Sequence, residues 1–194
     1  MLRSALRPAL SLLVLLSLLT GLMYPLLVAG IGAAIFPARA AGSLIVEAGK
    51  PIGSRLIGQE FTQPQYFWGR PSATAERPYN PLASSGTNQG PLNPALLAAV
   101  KARLAALRAA DPDNVAPVPV DLVTASASGL DPHISIAAAN YQAGRIAKAR
   151  AVERDRIEAL IRRHAQTRWL GFLGEPRVNV LELNLALDAM AGRR

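Results

Sequence analysis

Apolar side chains run almost unbroken from Ala9 to Phe36, and no charge falls from Pro8 through Ala38. At about 1.5 Å per residue, such a helix exceeds a hydrocarbon core of about 30 Å and spans it with tilt or a kink. Pro25, which lacks a donor and crowds the preceding turn, is the expected kink. A buried helix of a soluble protein would carry a polar face, and this segment has none. Arg3, Arg7 and Ala38-Arg39-Ala40 imitate a cleaved signal peptide, but apolar regions of signal peptides run only about 7–15 residues, which favours an uncleaved anchor. Arg3, Arg7 and the terminal amine crowd one flank while only Arg39 lies close to the other. The positive-inside rule then gives a cytoplasmic N-terminus (1–8), a transmembrane helix (9–36) and an extracytoplasmic soluble domain (37–194). Ser17-xxx-Gly21, Ala29-xxx-Ala33 and Gly30-xxx-Ala34 place small residues one turn apart. That spacing permits close backbone approach and makes Ser17 and Gly21 candidate packing positions against partner helices.

Beyond the anchor the pattern shortens and mixes. Residues 43–49 and 54–61 read as short strands separated by Lys50-Pro51-Ile52-Gly53. From Pro64 to Pro94 comes a Pro-, Gly-, Ser- and Asn-rich stretch without periodicity, a length that within a compact domain marks either function or disorder. Tyr66, Phe67, Trp68 and Tyr79 argue for order, either packed on the core or facing a partner. Asn93 is a good N-cap and Pro94 a good first helical residue. Leu96, Leu97, Val100, Leu104 and Leu107 then share one helical face up to Asp111-Pro112. Val118–Thr124 reads as a proline-punctuated edge strand. Ser135 caps a short helix through Gln142, and Gly144 weakens its continuation. A further amphipathic helix covers 153–166, burying Ile157, Leu160 and Ile161. At the end Leu181, Leu183, Leu185 and Leu187 alternate like a strand, but Asn179 with Glu182 makes a capping box and the composition favours helix. The class is α+β: one N-terminal transmembrane helix followed by one small domain of helices and a few short strands.

Charge changes this picture little. Setting aside Arg3 and Arg7, 19 basic residues face 13 acidic ones. That excess suits solubility and attraction to anionic headgroups. The run Arg145, Lys148, Arg150, Arg154, Arg156, Arg162, Arg163 is interrupted by Glu153, Asp155 and Glu158, as on a solvated helix face. It leaves a membrane-tethered nucleic-acid-binding regulator as the alternative function. The chain has no cysteine, no GxxxxGK[ST] or GxGxxG phosphate loop, and neither a D-K-T-G nor a T-V-G-Y-G motif. His133 and His164 are the only histidines and lack metal-ligand companions, so no metal or catalytic residue is assigned. Asp131 and His133 lie close to serines, yet crowding in one loop does not make a triad. The preferred reading is that they satisfy loop backbone groups.

The loop in question is Thr124-Ala125-Ser126-Ala127-Ser128-Gly129-Leu130-Asp131-Pro132-His133-Ile134-Ser135. It closely resembles the signature T-x-S-x-S-G-L-D-P-H-I-S of the C subunit of the bacterial Kdp potassium-transporting ATPase, the KdpC family. Gly53-Ser54-x-Leu56-Ile57-Gly58-Gln59-x-Phe61, Tyr66-Phe67-x-Gly69-Arg70-Pro71-Ser72-Ala73, Tyr79-Asn80, residues 84–94 and residues 170–184 resemble the same family in order. Ala127 and Ser85 stand where glycine is expected, and Gln89 and Leu92 replace other residue types. The resemblance implies a non-catalytic accessory subunit in a bacterial inner membrane, with its domain in the periplasm. Its implied partners are a catalytic ATPase subunit, a potassium-channel-like subunit and membrane lipid, with no nucleic acid. It also implies a catalytic chaperone that raises the catalytic subunit's affinity for ATP; no cofactor is bound alone, and any ATP is shared with that subunit. Direct ATP contact conflicts with an extracytoplasmic domain: either the coupling is transmitted through the complex, or the topology is reversed and the domain meets nucleotide in the cytoplasm. The loops 66–72, 84–93 and 126–133 are the expected partner-facing elements. Their candidate residues are Tyr66, Phe67, Arg70, Ser72, Tyr79, Asn80, Asn88, Asn93, Ser126, Ser128, Asp131 and His133.

Overall fold

A run dominated by leucine, valine and alanine gives the first unit its helix. The computed structural model describes residues 2–191; Met1 and residues 192–194, the ends of the expected N-terminal and soluble segments, lie outside the described residues. Contacts divide the chain into two compact units, 1–45 and 46–194. In the first, α1 (Leu2–Leu18) leads through a widened π turn (Leu19–Met23) into α2 (Tyr24–Ile35). The stretch Ala5–Ile35 has a mean hydropathy of 2.3 and is long and apolar enough to cross a membrane. The irregularity lies just ahead of Pro25, the expected kink. Tyr24 N–H donates to Leu19 O five residues back, and Thr20 Oγ1 donates to Leu16 O at 2.7 Å. Pro25 offers no N–H of its own, so the preceding turn widens and re-bonds around the missing donor. Phe36, ahead of Pro37, leaves the helical region at φ −129°, as residues before proline do, and α3 (Pro37–Ala40) follows.

Next along the chain comes a hairpin of β1 (Leu44–Glu47) and β2 (Lys50–Ser54). Its two-residue turn is Ala48-Gly49, at φ 48° and 78°, the positive pair that hairpin twist favours. The second strand therefore occupies the residues read from sequence as a separator, and 55–61 is turn and irregular chain. The 64–93 stretch is irregular as expected, apart from a 3-10 turn at Pro81–Ala83. In α4 (Pro94–Ala110) the Asn93 side chain accepts from Ala95 N–H at 2.9 Å. Of the apolar face named above, Leu107 alone is buried, while Leu97 remains exposed.

No strand forms at Val118–Thr124. Pro117 and Pro119 remove ladder donors, and the chain instead makes a 3-10 turn (Val120–Leu122) that buries Leu122. Asp121 carries that turn to its neighbour by accepting from Ser135 N–H at 2.7 Å and Ser135 Oγ at 3.2 Å. β3 (His133–Ser135) pairs antiparallel with β4 (Arg177–Asn179), register His133↔Asn179, Ile134↔Val178 and Ser135↔Arg177. Ser135 Oγ caps α5 (Ile136–Arg150) through Ala138 N–H. The helix does not stop at Gln142. Burial of Ala138, Ala139, Ala143, Ile146 and Ala147 outweighs the roughly 1 kcal/mol that Gly144 costs, and the chain turns only at Ala151, φ 51°. α6 (Arg154–His164) buries Ile157, Leu160 and Ile161 as expected. α7 (Val180–Ala191) is a helix, with Asn179 Oδ1 accepting from Glu182 N–H at 3.1 Å. Only half the capping box forms, because the Glu182 carboxylate turns to Arg55 Nε at 3.0 Å.

The core is thus α5, α6 and α7 against the β3–β4 pair, closed by Phe67, Trp68, Leu107 and Leu122. The architecture is α+β.

Candidate functional site

The segment 63–70 belongs to no helix or sheet, and its buried centre, residues 67–69, needs partners for its backbone polar groups. Its carbonyls are taken one after another by side chains. Gln63 O accepts from Trp68 Nε1 at 3.0 Å, Pro64 O from Arg145 Nη1, and Gln65 O from Arg150 Nε at 2.8 Å. Tyr66 O accepts from Arg145 Nη2 at 3.1 Å, Gly69 O from Arg103 Nη2 at 3.0 Å, and Arg70 O from Tyr79 Oη at 2.6 Å. Between them, two amides imitate a neighbouring strand. Asn184 Oδ1 accepts from Phe67 N–H at 2.8 Å and its Nδ2 donates to Phe67 O at 3.0 Å. Gln142 does the same for Trp68, at 2.8 and 3.1 Å. Arg145 Nη2, 2.7 Å from Gln142 Oε1, fixes which way that amide points.

The arginines also stack on the aromatics they secure. The guanidinium carbons of Arg103 and Arg145 lie 5.4 and 4.5 Å from the Trp68 ring centroid, and that of Arg150 lies 4.9 Å from Tyr66. Arg145 is 4% exposed; burial pushes its pKa down to about 10, with Asp111 opposing and Arg103 adding to the shift, and it remains cationic at neutral pH. Arg150 pairs with Asp188 at 2.7 Å. The run read from sequence as a solvated basic face is therefore divided. Arg145 and Arg150 are internal struts, whereas Arg154 and Arg156 pair with Glu158 and Glu153 outside. Helical spacing alone could have shown this, because Gln142 and Arg145 share the face of α5 that carries its buried alanines.

Arg70 joins this segment to the 124–135 loop. Its guanidinium donates to Thr124 O at 3.4 Å, Ala125 O at 3.2 Å and Asp131 Oδ2 at 3.3 Å. Asp131 Oδ1 accepts from His133 N–H at 3.0 Å and faces His133 Nδ1 at 3.3 Å. Ser72 Oγ donates to Gly129 O at 2.7 Å and accepts from Tyr79 N–H at 2.9 Å. Ser85 N–H and Ser84 Oγ both reach Ser128 O, and Gly58 N–H donates to Leu130 O. Gly129 sits at φ 67° against Ser85 O and Thr74. Ser85 and Ala127 adopt no positive φ, so their departure from glycine introduces no strain there. Loops 66–72 and 126–133, with residues 84–86 of the loop 84–93, form one knitted unit.

In and around it the candidate residues fall into two groups. Phe67, Asn80 and Ser126 are buried and hold the framework. Tyr66, Arg70, Ser72, Tyr79, Ser128, Asp131 and His133 are half-buried, and Asn88 and Asn93 are exposed. Ser17 and Gly21 lie exposed on the apolar helix, with nothing within 4 Å of a Cβ at Gly21. Among the described residues, Ser126 and Ser128 bond each other at 3.4 Å and Ser128 accepts from Leu130 N–H, with neither hydroxyl on His133. Among the described residues no group of His, Cys, Asp and Glu could hold a metal.

Burial raises the Asp131 carboxyl, but hydrogen bonds from the His133 side chain and backbone, with the charges of His133 and Arg70, outweigh it and leave its pKa below the ordinary 3.8. A depressed carboxyl stabilises the fold in full above its unfolded value and loses that contribution as pH falls through the folded value. Melting temperature against pH is therefore expected to drop more steeply below pH 3.8 in the native chain than in Asp131→Asn. Identical acid limbs would count against the ion-paired loop. Burial, opposed by Arg103, pushes the Tyr79 phenol up to about 12, so it stays a donor to Arg70 O across the neutral range.

The outer arc of the unit carries Leu82 and Leu92, 93 and 96% exposed. An open cavity of about 500 Å³ lies beside Arg70, Asp131 and His133, completed by Asp121, Ser135 and Arg177.

The family described as KdpC: K+-transporting ATPase, c chain, matches residues 6–189. The potassium-transporting ATPase KdpC subunit of Polaromonas naphthalenivorans is 63% identical over 188 residues, covering 97% of this chain and 96% of that one. The same-named subunit of Variovorax paradoxus is 63% identical over 191 residues, covering 98% and 99%. That of Herpetosiphon aurantiacus is 60% identical over 186 residues, covering 96% of each. The reading as a nucleic-acid-binding regulator finds no support among these similarities.

Proposed function

Because this chain belongs to the KdpC family of K+-transporting ATPase c chains, we propose that it acts there as a non-catalytic coupling subunit. It joins a catalytic subunit to a channel-like, potassium-binding subunit and raises the catalytic subunit's affinity for ATP. Its apolar helix anchors it in a bacterial inner membrane with the N-terminus in the cytoplasm and the domain in the periplasm. Any effect on ATP then travels through the assembly, without nucleotide contact by this domain.

The observation that supports this reading is how the site spends its polar groups. Asp131, His133, Arg70 and the serines secure backbone and one another, and a hydroxyl–imidazole pair poised for attack is not among their contacts. Such a unit suits presentation of a fixed surface, with Leu82, Leu92 and Asn88 on its outside. Coupling of about 1–3 kcal/mol changes affinity roughly 5- to 150-fold, so action at a distance is sufficient.

The test is the ATP dependence of hydrolysis by the assembled complex. Leu82→Ser with Leu92→Ser is expected to leave the maximal rate near its native value while raising the half-saturating ATP concentration by about fivefold or more. Unchanged half-saturation in a complex that still contains the variant chain would refute coupling through this arc.

A further inference from the structure

Between α6 and β4 the chain makes a narrow hairpin that the core does not use. Gln166 and Arg177 exchange backbone hydrogen bonds of 2.8 and 3.2 Å at its base, and Trp169 and Leu173 exchange two of 2.9 Å near its end. Leu170 and Gly171, at φ 52° and 82°, form the tip. Trp169, Leu170 and Phe172 stand on it at 69, 67 and 70% exposure, a wedge of apolar side chains on one tight turn. Behind the tip comes a charged neck. Arg168 pairs with Glu175 at 2.9 Å, and Arg177 and the last-turn arginines of α6, Arg162 and Arg163, are exposed. Arginines thus outnumber carboxylates on the hairpin and the end of α6, although Arg177 also borders the cavity that holds Asp121 and Asp131.

The order of these layers identifies the occupant. A bilayer presents anionic phosphates first and hydrocarbon about 5–10 Å deeper, which matches a cationic neck behind an apolar tip. Tryptophan favours that boundary because its ring is apolar and its N–H needs a partner. Chain length keeps the second unit tethered near the bilayer that the anchor would span. Only the residues 36–45 separate the membrane-spanning candidate from the second unit, so the link extends at most about 35 Å.

We propose that the 168–175 hairpin is a second membrane contact, inserting Trp169, Leu170 and Phe172 into the interface of a bilayer containing anionic phospholipid. This rests on the reading of Ala5–Ile35 as a membrane anchor. Bound in this way, the domain would be pinned at two points and restricted in its rotation about the anchor.

The chain lacks cysteine, so single nitroxide labels can be placed at Leu170→Cys, Val115→Cys and Leu16→Cys in the full chain, in nanodiscs of three parts neutral to one part anionic phospholipid. Accessibility to oxygen relative to a water-soluble nickel chelate reads depth. Leu170 is expected to show a ratio several-fold above that of Val115, an exposed site remote in sequence, and to fall towards it when the discs are wholly neutral. Leu16 reports the anchor independently. A Leu170 ratio equal to that of Val115 while Leu16 lies in lipid overturns the hairpin contact and leaves the anchor standing; both sites in water overturn both. A Leu170 label that becomes shielded only when the other subunits are added assigns the tip to a protein surface and likewise overturns the proposal.

Discussion

Replacing Asn184 with leucine is expected to lower stability by about 3–5 kcal/mol, although the two side chains have nearly the same size. Asn184 is 2% exposed, and both ends of its amide serve Phe67, which is wholly buried. Leucine fills the space but leaves one N–H and one carbonyl without a partner and out of reach of water. Each such orphan costs about 1–3 kcal/mol, and a lost amide that also located the chain adds to it. For a chain of this size the change corresponds to roughly 10 °C or more in melting temperature. Lys148→Met is the control. Its ammonium pairs with Asp113 at 2.7 Å in open solvent, and that substitution is expected to leave the melting temperature where it was. Equal shifts for the two would mean that the 63–70 segment is not held by its side-chain clamps.

Gly129→Ala is the second large effect, at about 2–4 kcal/mol. Two costs combine. The residue sits at φ 67°, where a Cβ meets its own carbonyl oxygen, and the added Cβ would lie 2.7 Å from Ser85 O and 3.2 Å from Thr74 N. Those neighbours are backbone atoms, tied to the same unit by the Ser85–Ser128 hydrogen bond, so relief requires the two loops to part. Gly171→Ala separates the causes. Its φ is 82°, yet nothing lies within 4 Å of its Cβ position, so only the conformational cost of about 1–2 kcal/mol remains. Thermal melting of both variants measures the difference; equal losses would show that crowding between the loops contributes nothing.

Much of the helical framework was legible because its signals are local. Asn93-Pro94 starts α4, Ser135 starts α5 and Asn179 starts α7, each through a cap that the side chain makes with its own neighbourhood. What failed depended on tertiary partners. The Val118–Thr124 pattern is strand-like, but prolines and the reach of Asp121 to Ser135 give a 3-10 turn instead. Gly144 looks like a stop, and only the burial of its alanine neighbours carries α5 past it. The same limit applies to the site. The loop motifs carried Arg70, Asp131 and Gly129, but Gln142, Asn184, Arg103 and Arg145 serve backbone groups up to 117 positions away. Charge spacing along a helix reports which face a residue occupies, not which distant carbonyl needs it. Phe67 and Trp68 were open to either core or interface, and the amide clamps draw both inward.

Under the proposed function the domain works from outside the cytoplasm, and its influence on ATP passes through the complex. Ser85 is exposed on the outer arc, and the absence of other thiols lets a single cysteine there report its side of the membrane. Ser85→Cys, in whole cells with a permeabilised outer membrane, is expected to react with a membrane-impermeant maleimide before the inner membrane is broken. Protection until inner-membrane lysis would place the domain in the cytoplasm and contradict the account.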